Sequence, residues 1–330
     1  MGQSPESTSY NSDKQGVPFY QGNADFGALY PNPRIWCSKP IKLAKENDIL
    51  ISVRAPVGAL NFSKEECCIG RGLAAITLVS NDFLIEFIYW SLRRGVKELQ
   101  SKSTGSTFKS INKKVLEEVR IPKISLKDQE DIIKNITLLT NILTKYEQEI
   151  VFLDELVKAR FVEMFGEIED CDKWESKIWN EVVTIKNGRD YKKVLVSDGG
   201  YPVVGTGGEI ARASKYLCPE NTIVVGRKGS INNPMLMKEK FWNVDTAFGV
   251  IPNSDYLHYQ YFYCFCKFYN FMKLNKATTL PSTTKADLLK IRINIPPLEL
   301  QNQFASFVEE VDKSRLLSNH SLLLLKSIIF

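Results

Sequence analysis

The side chains of this sequence that could do chemistry are mostly donors rather than acids, bases or nucleophiles. Arg54, Arg71, Ser106, Thr107 and Lys109 fall in short loops of the first half; Arg189, Lys192, Lys193, Arg227, Lys228, Asn243, Thr279, Thr283 and Lys285 fall in loops of the second. Arg and Lys pair with phosphates or with guanine edges, Asn reads adenine, and small Ser/Thr/Gly loops admit a nucleic-acid backbone closely. Singly, each reads as ordinary solvated surface; as two matching sets they point to binding. Phe19, Tyr20, Phe26, Tyr30 and Trp36 are open to two readings, core packing or base stacking, with core the commoner outcome.

Catalytic constellations are missing from the pattern. Gly205-Thr-Gly-Gly208 lacks the lysine and spacing of a phosphate loop, no nucleophile elbow is present, and His258 and His320 are the only histidines. Asp48 and Asp245, the acidic residues nearest the donor loops, read as turn formers. Seven cysteines without metal-ligand spacing read as buried free thiols of a reducing compartment, so no metal is expected. A net charge of +5 permits nucleic-acid binding without requiring it, and excludes a strongly acidic chain that would repel phosphate. The polar N-terminus lacks a signal-peptide pattern and no apolar run spans a membrane, so a cytoplasmic location is expected.

The elements that must position these donors are organised around Leu126–Phe165. Ile132, Ile136, Leu139, Leu143, Tyr146, Ile150, Leu153 and Val157 step alternately by four and three, the heptad rhythm of a helix with one apolar seam. No Gly or Pro interrupts it before Gly166, so it predicts a strut roughly 60 Å long at ~1.5 Å per residue. Gln303–Phe330 offers a partner through Phe304, Val308, Val311, Leu322, Leu325 and Ile329, with the rhythm broken at Arg315 and Ser318. The alternative is two ordinary bundle helices.

Each strut follows a β-rich stretch, and the two stretches repeat. Gly16–Gly22 is answered by Gly200–Gly207, Asn47–Arg54 by Asn221–Gly229, Cys68–Ile76 by Trp242–Val250, Phe83–Leu99 by Tyr256–Leu274, and Ser103–Thr107 by Ala277–Thr284. Three pairs, Asn47/Asn221, Pro122/Pro296 and Gln129/Gln303, share a separation of 174 positions. Trp174–Ile185 has no counterpart before Met1-Gly2 and the second strut is shorter, so the chain is expected to be clipped at both ends. The organisation expected is α+β: a first module over 1–124, a helix over 125–165, a second module over 166–298 and a helix over 299–330, with the helices pairing as an antiparallel coiled coil. Duplicated reading heads on a ruler suit a split DNA target with an unread gap.

Asp48-Ile-Leu-Ile-Ser-Val-Arg-Ala-Pro-Val-Gly58, Cys68-Ile-Gly-Arg-Gly-Leu-Ala-Ala75, Pro18-Phe-Tyr-Gln-Gly22 and the Ile-Pro segments leading into both helices resemble the specificity subunit of type I restriction-modification systems. The resemblance implies a non-catalytic subunit whose two target recognition domains read the halves of a bipartite double-stranded DNA sequence. Methyltransferase subunits using S-adenosylmethionine would dock on the helices, and restriction subunits would supply ATP- and Mg2+-dependent translocation and cleavage; this chain would bind none of these cofactors. Two other readings stay open: a silent cassette acting only as an assembly scaffold, and the recognition part of a fused restriction-methylation enzyme.

Overall fold

The computed structural model describes residues 1–105, 109–168, 173–277 and 279–329. The chain forms two compact units, Met1–Lys145 with Ser321–Phe330, and Tyr146–His320. Each contains one β-rich module together with segments of the two long helices, Leu126–Phe165 and Leu298–Ile329.

In the first unit, Ile49–Ser52 is the central strand of a three-stranded antiparallel sheet between Leu60–Phe62 and Leu73–Ile76. Successive strand side chains point to opposite faces. Ile49 and Ile51 therefore enter one core with Phe62, Tyr89, Leu92 and Leu99, while Leu50 enters another with Tyr20, Cys67, Ile69 and Leu73. Burial on both faces explains why this strand reads as a continuous aliphatic run. A second, five-stranded sheet places Val17–Tyr20 parallel to Cys67–Ile69, pairing Phe19 with Cys68.

The second unit repeats this plan. Thr222–Gly226 sits between Met235–Met237 and Ala247–Pro252. Ile223 and Val225 face a core with Tyr261 and Phe262, and Val224 faces the opposite one with Val204, Cys218 and Phe241. Val203 pairs in parallel with Trp242 as Phe19 does with Cys68. Asn47 and Asn221 open the equivalent strands in the left-handed conformation, at φ 65° and 58°, which asparagine tolerates better than most residues. Gly16 and Gly200 also adopt positive φ, and a Cβ there would fall 2.0 and 2.3 Å from the carbonyls of Cys37 and Ala213. Both are glycine because no side chain fits between those strands.

One part of the expected register needs correction. Gln129 is fully buried; its Oε1 accepts the Leu84 N–H at 2.8 Å, and its Nε2 donates to the carbonyls of Asp82 and Ile124. The residue with the same bonds in the second copy is Gln301, not Gln303: its Oε1 accepts the His258 N–H at 2.8 Å and its Nε2 donates to Tyr256 and Pro296. Gln303 is exposed. Leu84 and His258 keep the separation of 174, whereas Ile124/Pro296 and Gln129/Gln301 are separated by 172. Pro122 therefore does not correspond to Pro296, and the second copy is two residues shorter after the Tyr259–Phe268 helix.

The long helices pack antiparallel within the second unit. Phe165 and Phe161 meet Phe304, and Asp154 meets Arg315, so rising numbers on one helix pair with falling numbers on the other. The seam of the second helix is continuous through the positions where its apolar rhythm breaks. Ser318 is 4% exposed, and half-buried Arg315 donates to Asp312 and, at 2.7 Å, to Asp154, which also accepts Lys267 at 2.9 Å. A polar layer here replaces an apolar one without breaking the step. On the first helix, Leu143 and Val157 are buried as the heptad requires, whereas Ile132 is 38% exposed.

The Tyr259–Phe268 helix is capped by His258, whose Nδ1 accepts the Gln260 N–H at 3.2 Å. Burial, partly offset by Glu309, lowers the His258 pKa below 6.5. The folded state thus favours the neutral ring, and only the neutral ring can accept this bond. The contribution is complete above pH ~6.5 and is lost as pH falls through the folded-state pKa. Urea titrations at pH 7.5 and 5 are expected to show the second unit weakening in acid, and His258→Asn, which keeps a capping oxygen, is expected to remove that part of the pH dependence. An unchanged acid loss in the variant would assign it to other groups.

Candidate nucleic-acid interface

In the first unit the strand Ile49–Ser52 ends in Val53-Arg54-Ala55, which is held from two sides. The Val53 N–H donates to Gly72 O at 2.9 Å; the Ile111 N–H donates to Val53 O and the Ala55 N–H to Lys109 O at 2.9 and 3.0 Å. This brings Arg54, Lys109 and the Gly70-Arg71-Gly72 loop together, with all three basic side chains exposed. The Arg71 N–H donates to Ser4 Oγ at 3.3 Å, which pins the loop to the N-terminal segment. Ser106 and Thr107 lie outside the described residues.

The second unit builds the same scaffold. The Arg227 N–H donates to Thr246 O at 2.8 Å, the Thr283 N–H to Arg227 O and the Gly229 N–H to Pro281 O. Thr283 is buried, and its hydroxyl donates to Gly226 O at 2.8 Å. Here the scaffold borders a cleft of about 360 Å3 lined by Asn187, Arg227, Lys228, Ser282, Thr284 and Lys285, with Phe248 and Thr283 behind them. Lys285 Nζ donates to Ile185 O at 3.0 Å, so its ammonium is aimed but keeps donors to spare. Arg227 Nη1 reaches Asp245 O at 3.3 Å. Next to Thr284, Asp287 is held below the usual carboxylate range by its bond to Lys276, aided by Thr284.

Arg54, Arg71, Lys109, Arg189, Lys192, Arg227 and Lys228 form no ion pair with a carboxylate among the described residues. Their full charge is available to an anion, the condition for a phosphate or base-edge contact. Arg189 and Lys192 are exposed, but they lie on the segment following Asn187 and do not line the cleft; the Arg189 main chain is sewn to Asn243 O and Trp242 Nε1. Thr279 is exposed just before the Pro281–Thr283 ladder.

Asn243 has to leave the set. It is fully buried, its Nδ2 donates to Lys186 O and Ala247 O, and its Oδ1 accepts from Cys218. An amide with every partner inside the protein reads no base. In the residue order it looks the same as its exposed neighbours, because loop position does not reveal side-chain direction. Asn187, Ser282 and Thr284, which do line the cleft, were legible only as members of polar loops.

The remaining chemistry-bearing groups are structural. Asp48 Oδ2 accepts the Lys45 N–H at 2.8 Å, a turn-forming bond. Cys37, Cys67, Cys68, Cys218, Cys264 and Cys266 are free and buried. Burial pushes the Cys218 and Cys264 thiols up to about 12, which disfavours the reactive thiolate. Among the described residues no group of His, Cys, Asp and Glu could hold a metal ion, and no helix is long and apolar enough to cross a membrane. Of the ambiguous aromatics, Phe19 and Tyr20 are core, Phe26 packs against it, Trp36 is half-buried under Lys14, and Tyr30 is exposed.

Comparison with known proteins bears on this arrangement. Residues 9–151 and 171–326 match the family described as Type I restriction modification DNA specificity domain. Over 188 residues the chain is 43% identical to the putative type I restriction enzyme MjaX specificity subunit of Methanocaldococcus jannaschii, a match covering 56% of this chain and 40% of that protein. It is 20% identical to the MjaIX specificity subunit of the same organism, over 87% of this chain and 76% of the relative. The crystal structure of a type I restriction-modification S subunit from M. genitalium superposes with a TM-score of 0.58 at 16% identity, covering 99% of this chain and 90% of that one, and so shares the fold. The chain thus spans well under half the length of the MjaX relative. With both halves matched and the duplicated module-and-helix plan present in the fold, the chain belongs to the type I restriction-modification DNA specificity family.

Proposed function

We propose that the chain is the non-catalytic specificity subunit of a cytoplasmic type I restriction-modification complex, each module reading one half of a bipartite DNA target. One observation carries the reading. The two modules hold their donor loops with the same hydrogen bonds but project different side chains from them. Arg54 stands where the second copy has Lys228, Val53 where it has Arg227, and Arg71 where it has Asp245. A shared scaffold with unlike donors is what reading two unlike half-sites requires. The helices after each module would serve as spacer and as docking surface for methyltransferase subunits. S-adenosylmethionine, ATP and Mg2+ would belong to those and to the restriction subunits.

The test is binding to duplexes randomised in one half-site at a time, with the methyltransferase subunits present. Arg54→Ala is expected to relax one half-site by about 1–3 kcal/mol, roughly 5- to 150-fold, and leave the other unchanged. Equal weakening at both halves would make Arg54 a phosphate contact, and equal affinity of the unaltered protein for every duplex would refute sequence reading. Comparing methylated positions in cells with and without the gene would identify the target itself.

A further inference from the structure

Beside the donor loops of the first unit lies a second concavity, of about 550 Å3. One wall is the loop Pro56–Leu60, with Phe26, Gly27 and Ala28; the other is formed by Arg93, Arg94, Val96, Lys97 and Gln100, from the helices Ile85–Arg94 and Val96–Ser101. Three cations and no carboxylate line it. Arg94 and Lys97 are exposed and form no ion pair among the described residues, while Arg93 bonds the Tyr89 hydroxyl at 3.1 Å and lies over the Trp90 ring. The walls are held close. Gln100 Nε2 donates to Val57 O at 3.0 Å, and a Cβ on Gly58 would fall 2.7 Å from Val96. Pro56 is two residues from Arg54, so the concavity begins within roughly 8 Å of the donor ladder along the backbone.

The second copy has turned the same positions to another use. The helices Ile85–Arg94 and Tyr259–Phe268 correspond residue for residue, both receiving a buried glutamine at the N-terminus. Arg93 thus corresponds to Lys267, which is tied to Asp154 at 2.9 Å, and Arg94 to Phe268, whose ring packs edge-on against Phe161. In the second unit one position is neutralised and the other absorbed by the core. Among the described residues, Arg94 is exposed without an ion pair where the second unit has a packed ring.

We propose that the concavity bounded by Pro56–Leu60 and by Arg94 and Lys97 is a phosphate-binding cleft that grips the DNA backbone beside the half-site read by the first module, without reading sequence, and that the second module has no equivalent. The inference rests on the DNA-reading function but concerns a different set of contacts. Neutralising Z phosphates gives log K a slope of about −0.9Z against log salt. Arg94→Gln with Lys97→Gln, both exposed and outside the core, is expected to flatten that slope by about 1.8. Between 50 and 200 mM salt the altered protein should lose about 12-fold less affinity than the unaltered one, equally on target and scrambled duplexes, with target preference retained. Lys134→Gln with Lys158→Gln, on the first long helix, removes the same net charge elsewhere and should leave the slope as it is.

An unchanged slope and affinity for the Arg94/Lys97 variant, with target preference intact, would overturn the cleft while leaving the DNA-reading function standing. So would an equal effect of the Lys134/Lys158 pair, which would reduce the result to net charge, or a loss confined to one base sequence. Absence of target preference in the unaltered protein would refute the reading function instead, and the slope comparison on any duplex would still decide the cleft.

Discussion

Phe161→Ala is expected to lower the stability of the second unit by about 3–5 kcal/mol, the range for deleting a buried aromatic ring. Phe161 is 2% exposed and sits where three helices converge. Its ring stacks on Tyr261 at 5.4 Å and meets Phe165, Phe268 and Phe304 edge-on at 5.2, 5.5 and 5.6 Å. Phe304 comes from the second long helix and Tyr261 from the module, so the ring joins both to the first long helix. Truncation removes the transfer energy and leaves a void that ring neighbours on every side cannot close. Phe161→Leu retains much of the volume and should cost markedly less. Urea unfolding followed by circular dichroism gives the magnitude, and hydrogen exchange locates it; the loss should fall on the strand Thr222–Gly226 and the helix Tyr259–Phe268. A loss below ~1 kcal/mol would mean that the aromatic cluster is not what joins the long helices to this module.

The second large effect concerns the paired glutamines. Gln129→Leu and Gln301→Leu are each expected to destabilise their own unit by about 2–4 kcal/mol. Either change strands one amide N–H and two carbonyls in the interior, and a buried unsatisfied group costs about 1–3 kcal/mol, with relaxation and water recovering part. Gln303→Leu is the control: Gln303 is exposed, and a surface change of this kind stays within about 0.5 kcal/mol. The three variants decide the register of the repeat. Equal costs at Gln301 and Gln303 would contradict the correspondence of Gln129 with Gln301, and a large effect at Gln129 alone would mean that the two copies fasten their long helices differently.

Sequence patterns carried the architecture where local periodicity and burial agree. The heptad steps from Ile136 to Val157 and the aliphatic run Ile49–Ile51 each specify one element type, and Asn47 and Asn221 mark equivalent turns because the same left-handed backbone recurs. Patterns failed where a residue's role depends on a partner distant in sequence. Gln301 and Gln303 look alike on a helix, and only the approach of the Tyr256–His258 segment makes one of them a buried clasp. Arg315 and Ser318 interrupt an apolar rhythm on paper, yet Asp154 arrives from the opposite helix to accommodate the cation in the seam.

For this protein, then, residue order alone determined the duplication, the two long helices with their apolar seams and the loops that carry the donors, because each follows from spacing along the chain. Which donors share a surface was decided only by tertiary structure. Strand pairing brings Lys109 beside Arg54 and draws Arg227, Lys228 and Lys285 around one cleft, while it turns Asn243 inward to satisfy buried backbone groups. The same helix position is an open cation at Arg94 and a packed ring at Phe268. The physical reason is that a side chain's chemistry belongs to its residue type, but its availability depends on what the rest of the chain folds against it.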